Sequence, residues 1–207
     1  MSRPGHFITF EGIDGSGKST QARHAAERLR ATGRDVVLTR EPGGAPGAED
    51  IRRLLVEGDP ARWSPETEIL LFTAARRDHL ERTILPALEA GKIVISDRFA
   101  DSTRVYQGAA RGDLRDIVDK LHDAVIGIEP DLTIILDFDP EAALARGLAR
   151  GSGEDRFEEL GAGFQRALRE GFHALAASEP ERCKLVDASG DEEAVAQRVK
   201  AVLDAHL

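Results

Sequence analysis

The residues best placed to do chemistry lie near the start of the chain, in FEGIDGSGKST, Phe10 to Thr20. Inside it runs Gly12-x-x-x-x-Gly17-Lys18-Ser19, the spacing of a phosphate-cradling loop. Glycines at 12, 15 and 17 let the backbone curl until successive N–H groups face phosphate oxygens. A helix beginning near Lys18 turns its positive N-terminal end toward the same anion. Lys18 is spaced to reach the β- and γ-oxygens, and Ser19 to offer its hydroxyl to Mg²⁺. Ile13, Ser16 and Thr20 fill out the nucleotide side of the loop. Asp14 is the odd member, a carboxylate among donors meant for phosphate. The pattern implies a nucleoside triphosphate and leaves its use open.

Three further features narrow that use. The chain has no asparagine, so an Asn-Lys-x-Asp guanine-reading motif is absent. The one Asp-x-x-Gly outside the loop, Asp187 to Gly190, follows the last strand and is too late for a GTPase switch. RGLARGSGEDR carries Arg146, Arg150 and Arg156 on a glycine-softened segment. Mobile arginines suit phosphoryl transfer, where charge spreads over the transferring oxygens. Such a segment, about 146–157, reads as a lid that closes and excludes water.

The elements that must position these groups alternate along the chain. Strands are read at His6–Glu11, Asp35–Thr39, Lys92–Ser96, Asp131–Asp137 and Cys183–Asp187. Helices are read at Lys18–Ala31, Ala48–Glu57, Pro65–Ala90 with a bend near Pro86, Pro140–Arg150, Phe157–Ser178 and Asp191–His206. Five runs apolar on both faces, each followed by helix, predict an α/β fold: a five-stranded parallel sheet covered on both sides. Ligands in such sheets bind at the carboxyl ends of the strands. No repeat or linker divides residues 1–207, which read as one domain.

Composition bounds the partners. Net charge is −9, so nucleic acid and anionic membranes are poor partners and cations must be concentrated locally. One cysteine, Cys183, excludes an internal disulfide and suits a reducing cytoplasm. No apolar run is long enough to span a bilayer.

FEGIDGSGKST, TREPGG, LLFTAARRDH, SDRFADSTRVYQG, PDLTIILD and DRFE stand in the order and spacing of one family, and the chain resembles it end to end. That family is thymidylate kinase, which phosphorylates dTMP to dTDP with ATP. The resemblance implies that Phe72 stacks on thymine, that Arg76, four residues on, donates to a base carbonyl, and that Arg98 binds the acceptor 5′-phosphate. Thr103, Tyr106 and Gln107 would read thymine N3 and line the sugar, with Tyr106 favouring the deoxy form. Asp14 would sit near the 3′-hydroxyl, Glu41 would be an acceptor-site acid, and Arg52 a second phosphate-binding arginine. Asp97 would hold the Mg²⁺ shell through water, or orient Lys18 or Arg98. Ser16 stands where part of the family carries its catalytic arginine, so the resemblance is to the lid-arginine, bacterial type. Arg150 is then the first choice of finger, Arg156 the second, and Arg146 a stacker on adenine. The family is homodimeric, and the apolar ILLF of the third helix could supply a face. The alternatives are a kinase for another monophosphate and a nucleotide-gated binding module.

Overall fold

The apolar runs lie side by side in the computed structural model, which describes residues 4–59, 62–109, 114–150 and 160–207. They form β1 (His6–Glu11), β2 (Val36–Arg40), β3 (Ile93–Asp97), β4 (Leu132–Asp137) and β5 (Cys183–Asp187). All pairings are parallel and the order is β2-β3-β1-β4-β5. Each strand lies within one residue of its predicted bounds.

Alternation along the central strands sends side chains to two cores. Ile8, Phe10, Ile93 and Ile95 meet α1 (Lys18–Ala31) through Ala22, Ala25, Ala26 and Leu29. The same core takes Leu168 and Phe172 of α8 (Gly161–Ser178) and Val195, Val199 and Leu203 of α9 (Glu192–Asp204). Phe7 and Val94 point the other way, onto Leu80, Ile84 and Leu88. Helices therefore cover both faces, as a sheet of continuous apolar strands requires.

The remaining helices are α2 (Pro46–Val56), α3 (Pro65–His79), α4 (Leu85–Glu89), α5 (Ala100–Thr103), α6 (Arg115–Val125) and α7 (Pro140–Arg150). The helix read as Pro65–Ala90 is interrupted earlier than expected, by a π-helical turn at Leu80–Ile84. Pro86 cannot donate to the carbonyl one turn back, so the ladder widens before the proline rather than at it. Three segments were not read from the sequence: α5, α6, and a second π-helical turn at Arg104–Ala109. The predicted start of α8 at Phe157 lies outside the described residues; the helix is seen from Gly161.

Register places Phe10, Arg40 and Asp97 level with one another across β1, β2 and β3. The segments that follow them, the glycine loop, the 41–44 turn and Arg98, therefore open at one end of the sheet. That end, where β1 is flanked by β3 and β4, is the ligand-binding end of such a fold.

Candidate active site

The loop between β1 and α1 is built for an anion. Gly17 caps α1 at φ 96°, a left-handed conformation that leaves the first amides of the helix facing outward. Gly15 (φ 83°) has no room for a side chain, because a Cβ would run into the Ala143 carbonyl of α7. Lys18 folds back and donates from Nζ to the Ile13 carbonyl at 2.7 Å. Burial and the Arg98 guanidinium lower its pKa to about 8, against the pull of Asp14, Asp97 and Glu11. A triphosphate in the loop would reverse that shift.

Ser19 Oγ donates to Asp97 Oδ2 at 2.5 Å, so helix α1 and strand β3 meet at the mouth of the loop. Asp97 Oδ1 is buried with no hydrogen-bond partner. A hydroxyl beside a carboxylate with a spare oxygen is a hard-oxygen donor set, and it fits Mg²⁺. Among the described residues no group of three or more His, Cys, Asp or Glu could hold a metal. Two protein oxygens suit an ion that keeps water and takes phosphate oxygens as its other ligands.

Arg98 is the junction. It is the one described non-glycine residue with positive φ (72°), a strained backbone held from both sides. Its N–H donates to the Phe10 carbonyl at 2.9 Å. Glu11 accepts from the next amide, Phe99 N, at 2.8 Å and from Ser102 Oγ at 2.6 Å. Burial, then the nearby Asp101 charge, raise the Glu11 carboxyl to about 7. Arg98 Nη1 donates to Ser102 Oγ at 2.8 Å, while Nη2 donates to Asp14 Oδ1 at 2.5 Å and Tyr106 Oη at 3.1 Å. Tyr106 in turn donates to Asp14 Oδ2 at 2.8 Å. Burial works against the charge of Asp14, but Arg98 and Lys18 outweigh it and hold the carboxyl at about 2. Burial drives the Tyr106 phenol well above its ordinary value and Asp14 adds to this, so it remains a donor.

At the far end of the same cleft, α3 supplies Phe72 and Arg76 from one face. Arg76 is buried and fixed by Glu41 (Nε to Oε2, 2.7 Å), the Phe99 carbonyl and Thr103 Oγ1 (both 3.0 Å from Nη2). The other Glu41 oxygen meets His79 Nδ1 at 3.0 Å. Arg52 donates to the Pro42 carbonyl at 2.6 Å and also faces the cleft.

Comparisons with known proteins decide the family. The family model described as thymidylate kinase matches residues 10–199. The thymidylate kinase of Dinoroseobacter shibae is 70% identical over 203 residues, covering 98% of each chain. That of Ruegeria pomeroyi is 62% identical over 207 residues, covering all of this chain and 98% of its own. A crystal structure of thymidylate kinase from Ehrlichia chaffeensis superposes with a TM-score of 0.77 at 38% identity, covering 96% of this chain and 98% of that one. This chain belongs to the thymidylate kinase family.

A thymidylate kinase needs a donor site and an acceptor site in contact, and the cleft gathers residues named for both. Asp14, Gly15, Gly17, Lys18, Ser19 and Thr20 line one end; Glu41, Arg52, Phe72, Arg76, Thr103, Tyr106 and Gln107 line the other, with Asp97 and Arg98 between. Gly12, Ile13 and Ser16 lie behind this surface: Gly12 accepts from Arg98 Nη1 at 3.3 Å, and Ser16 is buried. Arg146 stacks over the Phe138 ring at 4.2 Å. The Arg150 side chain and all of Arg156 lie outside the described residues.

The sequence by itself assigns no role to Glu11 and does not single out Arg40 or Ser102. Arg40 lines the cleft and pairs with Glu49 at 3.2 Å. The signal for Glu11 was available: an acid ending an apolar strand, beside a glycine loop, needs donors, and the chain segment after Asp97 provides them.

Proposed function

We propose that the protein transfers the γ-phosphoryl group of ATP, with Mg²⁺, to the 5′-phosphate of dTMP, giving dTDP and ADP. The observation that carries this reading is a single cleft, with the phosphate loop at one end, Phe72 and Arg76 at the other, and Arg98 between. ATP lies with its phosphates on residues 12–20. The thymine ring lies on Phe72 with its O4 toward Arg76, and the acceptor phosphate replaces Asp14 as a partner of Arg98.

An oxygen of the dTMP phosphate attacks the γ-phosphorus in line, the bond to the β–γ bridging oxygen breaks, and ADP leaves. The nucleophile is already an anion, so no strong general base is needed. Lys18 neutralises the β- and γ-oxygens, and Arg98 offsets the repulsion between the two phosphates. Ser19 and Asp97 would hold Mg²⁺, which would supply further charge neutralisation on the donor phosphates. Asp14 is close to Tyr106, and together they border the sugar, where the Tyr106 ring leaves little room for a 2′-hydroxyl.

The reading extends to parts of the chain around this centre. Residues 1–207 form one unit, and about 146–157 act as a lid that brings Arg150 or Arg156 to the transferring group, with Arg146 toward adenine. The working form is a cytoplasmic homodimer. Leu70 on α3 and Ile117 and Val125 on α6 are exposed apolar residues that support such a face. Among the described residues no helix is long and apolar enough to cross a membrane.

Steady-state assays with Mg·ATP and a panel of dTMP, dUMP, UMP, CMP and AMP test the reading. The highest kcat/KM should belong to dTMP. Another monophosphate in first place would replace the acceptor, and ATP hydrolysis indifferent to every acceptor would replace the reaction.

A further inference from the structure

The thymine end of the cleft has a buried carboxylate with no part in the mechanism above. Glu68 precedes Phe72 by four residues and Arg76 by eight, so the three occupy one face of α3 on successive turns. Glu68 is 0% exposed and is not among the residues that line the cleft. Gln107, 1% exposed, does line it, and its Nε2 donates to Glu68 Oε2 at 3.2 Å.

We infer that Glu68 fixes the amide orientation of Gln107 and thereby makes the site select a pyrimidine that presents an N–H at ring position 3. A carboxylate offers only lone pairs, so the end of the Gln107 amide that it holds is the NH₂. The carbonyl oxygen is then left as the group Gln107 can turn to a ligand. Beside it, Arg76 has Nε and Nη2 engaged, and Nη1 has no hydrogen-bond partner among the described residues. The site therefore sets a guanidinium donor next to an amide acceptor. Thymine and uracil carry an acceptor at O4 and a donor at N3; cytosine carries the opposite at both. If the amide turned over, Gln107 would show a donor to N3, and the penalty against cytosine at that atom would disappear. In a buried site, a donor facing a donor leaves both without partners, which is how hydrogen-bonding pockets discriminate most strongly.

Glu68 acts through Gln107 and is a positioning residue. The inference rests on the acceptor-site reading above, and the experiment separates the two. Glu68→Gln keeps the shape of the side chain but can present either a carbonyl or an NH₂ to Gln107, so both amide orientations become available. The ratio of kcat/KM for dTMP to that for dCMP should fall about tenfold. The change should sit in KM for the pyrimidine, with kcat for dTMP within about twofold and KM for ATP unchanged. An unchanged ratio, or a fall in kcat together with a rise in KM for ATP, would reduce Glu68 to a packing residue. A wild-type protein with no preference for dTMP over dCMP would sink the acceptor reading itself and this inference with it.

A second measurement needs no active variant. The chain has four glutamines and no asparagine, so its side-chain carboxamides give only four NH₂ pairs in a ¹⁵N spectrum. The pair lost in Gln107→Ala should, in the wild type without ligand, exchange with water far more slowly than that of Gln165, which is equally buried but whose Nε2 has no hydrogen-bond partner among the described residues. Equal exchange rates would show that no carboxylate holds the Gln107 amide.

Discussion

On the proposed reading, Lys18 is tuned for its phosphate partner before that partner arrives. Its ammonium is nearly buried and sits close to Arg98, and its pKa is about 8 without ligand. A lysine whose folded pKa is depressed is charged below that value and neutral above it, and kcat/KM reports the ionisation of the free enzyme. The profile of kcat/KM for ATP should therefore fall as pH rises through about 8. The profile of kcat should stay level to higher pH, because bound phosphates restore the charge. Coincident declines would mean that the lysine titrates alike with and without nucleotide, and the assignment would fail. Lys18→Ala should lower kcat by about 10³-fold, the scale of losing one preorganised charge contact in a water-poor site, without lowering the melting temperature.

At the scale of elements, the base end of the cleft depends on three segments meeting in one ion cluster. Glu41, just after β2, holds Arg76 and His79 of α3, and Arg76 reaches α5 through Thr103. Both Glu41 and Arg76 are under 5% exposed at the side chain, so removing the acid strands a buried guanidinium. Glu41→Gln should cost about 3 kcal/mol and lower the melting temperature by roughly 6–12 °C for a chain of this size. KM for dTMP should rise at the same time. A melting point within 2 °C of wild type would show that Arg76 finds other partners.

The elements that were legible in the sequence were those with an unambiguous period or fixed turn chemistry: five buried strands, the loop before Lys18, and α1. What was not legible depends on contacts distant in sequence. Helix α6 carries charges between its apolar positions, as in RDIVDKLHDAV, and it gains its purpose from packing beside α3 and the Arg104–Ala109 turn. The role of Glu11 is fixed by amides 88 and 91 residues away, which no local pattern reports. Glu68 and Gln107, 39 residues apart, are another such pair.

At the scale of the molecule, charge is distributed against the average. The chain as a whole carries −9, yet Lys18, Arg40, Arg52, Arg76 and Arg98 converge on one cleft. On the proposed reading, two polyanions meet there because these cations offset their mutual repulsion, and Debye screening weakens that attraction at high salt. A compound joining adenosine and thymidine through a chain of phosphates should span the phosphate loop, Arg98 and Phe72 at once. It would bind as two linked ligands, so its affinity should exceed that of ATP or dTMP alone by 10² or more. At about 1,000 times its Kd it should stabilise the fold by roughly 4 kcal/mol, a rise of about 8–16 °C in melting temperature. Raising the salt from 0.05 to 0.5 M should shrink that rise. A shift no larger than that given by an equimolar mixture of ATP and dTMP would mean that the two ends of the cleft do not hold their nucleotides in line.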